Sequence, residues 1–219
     1  MSELSTVVDG RAASLRLAAV GALGFTVLYL LHRIGQGLGP DDAVPATVAA
    51  YQASHRGVLL ASEVALALAL LVFVAVPAGL VPLVWKAGQE GLAVAIGLTS
   101  TVFVAMGFVS SASETALANI GDERAAVLAL NQLQGRIPVV FAFTALAACI
   151  GWAILRTGLA WRWLGIASLV AAAVFLLGSI FSVLGPTPEG RSSIYGIGLS
   201  ILWTLLLGIG LFRTSRAKA

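Results

Sequence analysis

The sequence predicts an all-α fold, a polytopic membrane protein built as a six-transmembrane-helix bundle with both termini inside. Three observations predict it. The chain of 219 residues is 59% hydrophobic and 11% charged, whereas an average soluble domain carries about a quarter charged residues. Its mean hydropathy is +0.98. It also contains six apolar stretches, each near the roughly 20 residues that one span requires. A soluble enzyme is excluded, because too little charge is available to cover its surface. A disordered chain is excluded, because it would be polar and charge-rich. The whole of 1–219 reads as a single transmembrane domain, so any chemistry sits in the bundle or its short loops.

The spans fall at about 16–35, 57–80, 92–112, 137–155, 163–184 and 194–212. Arg11 and Arg16 precede the first run as they would in a signal peptide. The run continues through Leu31 with no small-residue cleavage site, so it reads as a retained helix. It stops at the glycine-rich Gly35-Gln-Gly37-Leu-Gly39, and Pro40 to Pro45 is turn-like. Thr47 to Ser54 reads as a short interfacial helical turn. Pro77 and Pro82 in the second span predict a kink or an early end, since proline lacks a backbone donor and clashes with the preceding turn. The third span turns polar at its far end, with Ser110, Ser111, Ser113 and Glu114.

The longest connection, 115–136, predicts a short outer amphipathic helix. Asp122 is its N-cap and Gly135 its stop, with Glu123, Arg124, Asn131 and Gln134 on one stripe that Val127 interrupts. Pro138 lies in the first turn of span four, where proline is tolerated. Gly185-Pro-Thr-Pro188 closes span five. Gly97, Gly107, Gly165, Gly178, Gly196, Gly198 and Gly208 predict close helix contacts. Cys149 lies mid-span and reads as a small apolar residue.

Orientation follows from Lys and Arg in the short loops. With the N-terminus inside, Arg11, Arg16, Lys86, Arg156, Arg162, Arg213, Arg216 and Lys218 lie inside, against Arg33, Arg56, Arg124, Arg136 and Arg191 outside. This places the protein in the cytoplasmic (plasma) membrane with both termini cytoplasmic. Seven of the ten acids fall toward the outer half. The net charge of +3 does not indicate nucleic acid, because the bases stand singly at helix ends.

Glu63 is the sharpest candidate. An ionisable group inside a span is a functional hypothesis by default, because burying a charge is expensive. Gln52, His55, Arg56, Ser62 and Glu63 share one side of span two, and Thr99, Ser110, Ser113 and Glu114 one side of span three. Two such faces enclose a polar vestibule, which makes Glu63, His55, Arg56, Glu114 and Ser110 the candidate substrate- or ion-binding residues. The alternative is that Glu63 pairs with Arg56, Arg33 or Arg136 and fixes helix packing. His32 and His55 are the only histidines. They read as hydrogen-bonded interfacial residues, because spacing suggests no third metal ligand. No metal or cofactor is expected.

Leu155-Arg-Thr-Gly158 followed by Arg162-Trp-Leu-Gly165 resembles the inner turn of a six-span bacterial membrane family catalogued as domain of unknown function 4386. Arg56-Gly57, entering span two, is similar as well. Trp161 departs from the proline usual in that family. The resemblance implies the six-span layout and no activity.

The sequence therefore predicts a small transporter or channel-like protein with an outward-facing polar vestibule around Glu63. The alternatives are a non-catalytic accessory subunit, or a membrane enzyme acting on a lipid-linked substrate through His55, Glu63 and Glu114. The lipid bilayer is the expected partner, with a homodimer or a second membrane subunit as further candidates. No G-x-S-x-G, H-E-x-x-H, C-x-x-C or Walker motif is present, which argues against the motif-bearing enzyme classes.

Overall fold

A computed structural model describes residues 2–37, 45–119, 139–184 and 190–217. Their secondary structure is helical throughout: α1 (Ser2–Gln36), α2 (Pro45–Phe73), α3 (Ala75–Lys86), α4 (Glu90–Leu117), α5 (Val139–Thr157), α6 (Arg162–Leu184) and α7 (Gly190–Ala217). Six segments are long and apolar enough to cross a membrane, with α2 and α3 together forming the second. The six expected spans are all present, most of them longer than the hydrophobic runs that announced them. The predicted amphipathic helix at 122–135 lies outside the described residues.

Two local expectations change. Thr47 to Ser54 is not a separate turn but the start of α2, which runs unbroken from Pro45. The second span is interrupted at Val74, one turn before Pro77. A helical Pro77 cannot donate to the Phe73 carbonyl, and its ring crowds that same carbonyl. The strain therefore lands four residues upstream. Val74 turns back on Leu71 with a 3.2 Å hydrogen bond, and α3 restarts with Pro77 in its first turn. Pro82 is accommodated inside α3.

The spans pack in chain order around a closed ring. α1 contacts α2, α3 and α7; α4 contacts α2, α3 and α5; α6 lies between α5 and α7. Six alternating spans bring both termini to one end, where an Arg11 guanidinium nitrogen donates to the Gly158 carbonyl at 3.5 Å. Gly158 ends the α5 turn with φ +61°, a conformation open to glycine.

Each span sends one buried aromatic ring to the middle: Phe25, Phe73, Phe103, Phe143, Phe175 and Trp203. The rings touch at centroid distances of 5.0–6.0 Å. Phe25 reaches Phe103, and Phe143 reaches Trp203, although neither pair sits on neighbouring helices of the ring. The contacts therefore cross the bundle axis and fill it. Trp203, an odd place for an interfacial aromatic, belongs to this core and donates its indole N–H to Ser168 at 2.9 Å. Beside it, Thr26 donates to Thr204 at 2.8 Å and ties α1 to α7.

Glycine packing is partly as expected. A Cβ at Gly107, Gly165 or Gly208 would collide with a leucine on another helix or turn, whereas Gly97, Gly178 and Gly198 face open space. The closest approach involves a glycine the pattern did not single out. A Cβ on Gly79 would fall 2.3 Å from the Ser14 carbonyl, so α1 and α3 touch backbone to backbone.

Candidate functional site

The polar side chains gather at the bundle end opposite the termini, between α1, α2 and α4. α1 presents Tyr29, His32, Arg33 and Gln36, spaced three and four apart and so on one face. Gly35 lets α2 come close, since a Cβ there would sit 2.7 Å from that of Ser62. At this separation His32 Nδ1 donates to the Ser62 carbonyl at 3.0 Å and lies 3.5 Å from Glu63 Oε1. Both neighbours of Nδ1 are acceptors, so Nδ1 carries a proton.

Glu63 is 6% exposed and His32 2%. Burial on this scale demands partners, because an isolated carboxylate in an apolar interior is strongly disfavoured. Glu63, on α2, has them on two other helices, α1 and α4. Ser111 of α4 donates to its Oε2 at 2.7 Å. The Gln36 amide nitrogen donates to its Oε1 at 3.3 Å and also to Glu114 Oε2. A carboxylate oxygen of Glu114 lies within 4.8 Å of one of Glu63. Arg33 Nη1 holds Gln36 Oε1 at 2.5 Å, which fixes the amide with its nitrogen toward the acids. The Tyr51 hydroxyl donates to the Gln36 carbonyl at 2.6 Å and closes the end of α1. One ligand atom from each of His32, Glu63 and Glu114 lies within 4.8 Å of the others.

The five candidates from the sequence divide. Glu63 and Glu114 come together in this cluster. His55 is exposed and bonds Ser54 and the Tyr51 carbonyl of its own helix, with its ring stacked on Tyr51 at 4.4 Å. Arg56 is exposed and donates to Asn119 at 2.6 Å. It lines a separate recess of about 280 Å³ between the start of α2 and the end of α4, with Gln52 and Asn119. Ser110 is half-buried; its neighbour Ser111 is the residue that meets Glu63. Glu63 makes no ion pair with Arg56 or Arg33 among the described residues, and Arg136 lies outside them.

Sequence reasoning set His32 aside as an interfacial residue, named Ser111 without making it a candidate, and passed over Gln36. The helical spacing of Tyr29, His32, Arg33 and Gln36 was the available signal. Tyr29 also joins the two regions, stacking on Phe25 at 5.3 Å and on His32 at 5.8 Å.

Fold and cluster together define a polytopic membrane protein with an ionisable group buried between its first three spans. Compared with known proteins, the chain matches no family model, no curated protein and no solved structure.

Proposed function

We propose that the protein is a small carrier that takes a proton or cation at Glu63 from the membrane face opposite its termini. The observation that supports this most is the meeting of Glu63 and Glu114, from two different spans, inside an apolar bundle. Two carboxylates with oxygens within 4.8 Å of each other repel unless a proton or a cation lies between them. Such a site is built to hold and release positive charge. By the excess of Lys and Arg near the termini, that face is the outside.

A carrier fits better than an open pore. The six central rings fill the axis directly beneath the cluster, so passage requires helix movement. The interruption at Val74 supplies a break in the second span next to Phe73 of the ring layer. The enzyme reading through His55, Glu63 and Glu114 loses support, because His55 is committed elsewhere on the surface of α2.

The test is proton influx into liposomes containing the purified protein, followed with an internal pH-sensitive dye under an imposed gradient. Glu63→Gln keeps the shape and the Ser111 contact but removes the charge. Its expected flux is at least about tenfold below wild type, on the scale of losing one buried charge-assisted partner. Equal flux in folded wild-type and variant protein overturns the carrier reading.

A further inference from the structure

We propose that His32, Glu63 and Glu114 form a binding site for a first-row divalent metal ion of the Zn²⁺, Mn²⁺ or Fe²⁺ type. This deepens the carrier reading by naming the class of ion, and it rests on the same side chains.

Four features of the site support it. The donor set is mixed, one imidazole and two carboxylates, with no thiolate. That set suits borderline and moderately hard divalent ions better than Cu⁺ or Ca²⁺. The three ligand atoms lie within 4.8 Å of one another. Ligands on a single ion at about 2.0–2.2 Å sit roughly 3–3.5 Å apart, a closure that side-chain rotation supplies. Both carboxylates converge on one point, now filled by the Gln36 amide nitrogen, which donates to Glu63 Oε1 and Glu114 Oε2. Acceptors that converge on a single donor are arranged as they would be around a cation.

The supporting contacts are also those of a metal centre. Metal-binding histidines hold their second nitrogen with a backbone carbonyl or carboxylate, which fixes the tautomer. His32 Nδ1 is held this way by the Ser62 carbonyl, which leaves Nε2 as the nitrogen that would bind the ion. Ligating carboxylates are in turn hydrogen-bonded, as Glu63 is by Ser111. Two carboxylates neutralise a divalent ion, which removes the charge conflict between them. Arg33, the other charge facing the cluster, is engaged with the Gln36 oxygen. On binding, the Gln36 amide yields its place to the ion.

The experiment uses the full-length protein in detergent, freed of any affinity tag and stripped with EDTA, and adds Co²⁺ as a spectroscopic probe. Wild type is expected to develop the visible absorption of Co²⁺ bound to nitrogen and oxygen ligands, lost on adding Zn²⁺ or EDTA. His32→Gln and Glu63→Gln should each weaken binding by more than about 100-fold, and Ser111→Ala by about tenfold, the usual range for a residue that orients a ligand. His55→Ala should bind as wild type does. If a ligand variant fails to fold, the wild-type protein alone decides, through a rise in its melting midpoint with Zn²⁺ that EDTA reverses.

No Co²⁺ spectrum and no Zn²⁺ shift in wild type overturn the metal site, even if proton flux still depends on Glu63. A spectrum that survives in folded His32→Gln overturns this ligand set. Metal binding with flux independent of Glu63 supports the site and removes the carrier reading instead.

Discussion

The middle of the bundle and its far end are built on opposite principles. In the middle, all six spans contribute one ring each, every ring is buried, and the contacts cross the axis. At the far end, among the described residues, α1, α2 and α4 bring together two acids, a histidine, an amide and a serine. The central layer is redundant, since each ring touches others of the same kind. The polar layer is specific, since each donor has one place to go. Burying carboxyls beside one another opposes folding, so the aromatic layer must hold the spans in register against that cost. Tyr29 joins the two, stacked on Phe25 below and His32 above.

The strongest way to break this contrast is Phe103→Ala. Phe103 touches Phe25, Phe73 and Phe143, more of the other five rings than Phe175 or Trp203 touches. In a bilayer the lost energy is packing rather than transfer from water, because lipid tails are as apolar as the core. A large-to-small change at a site with this many neighbours is expected to cost about 3 kcal/mol. Unfolding in mixed micelles of increasing denaturing detergent measures it. Co²⁺ binding by the fraction that remains folded should persist, because no ligand has moved. A variant as stable as wild type would mean that the rings are not what holds the six spans together.

These two layers were not equally legible. The spans were legible because length and apolar content are one-dimensional quantities. Glu63 was legible because an acid in an apolar run is costly wherever its helix packs. Its partner was not, because pairing His32 with Glu63 depends on α1 and α2 approaching closely at Gly35, a contact between segments far apart in the chain. Ser110 and Ser111 show a finer limit. On a helix they precede Glu114 by four and three residues, so periodicity admits either, and only the packing of α4 against α2 sets Ser111 toward Glu63. The break at Val74 was legible in kind but displaced, since proline disturbs the carbonyl four residues before it. The aromatic layer was hidden because nothing in a sequence tells which ring of each span lies at the same depth.

Ser111→Ala sharpens the comparison from the polar side. It removes one hydrogen bond to a buried carboxyl and leaves Glu63 Oε2 without that donor. The expected loss is about 1–2 kcal/mol, a hydrogen bond to a charged group. That is smaller than the loss at Phe103, although the effect on metal affinity is larger. A stability loss equal to that of Phe103→Ala would make the polar layer as structural as the aromatic one and erase the distinction.

The smallest expected effect is at the second histidine, and it separates sequence position from structural place. His32 and His55 both stand near the same end of the bundle, and composition treats them alike. His32 is enclosed by Ser62, Glu63 and Tyr29, whereas His55 is exposed and, among the described residues, bonds the adjacent Ser54 and Tyr51 one turn back on its own helix. An exposed side chain bonded within its own helix contributes little, so His55→Ala should change stability by less than about 0.5 kcal/mol. It should also leave both the Co²⁺ spectrum and the proton flux at wild-type values. Loss of either in a folded His55→Ala protein would move the working site from the α1–α2–α4 junction to the recess beside Arg56, where the sequence alone had placed half of it.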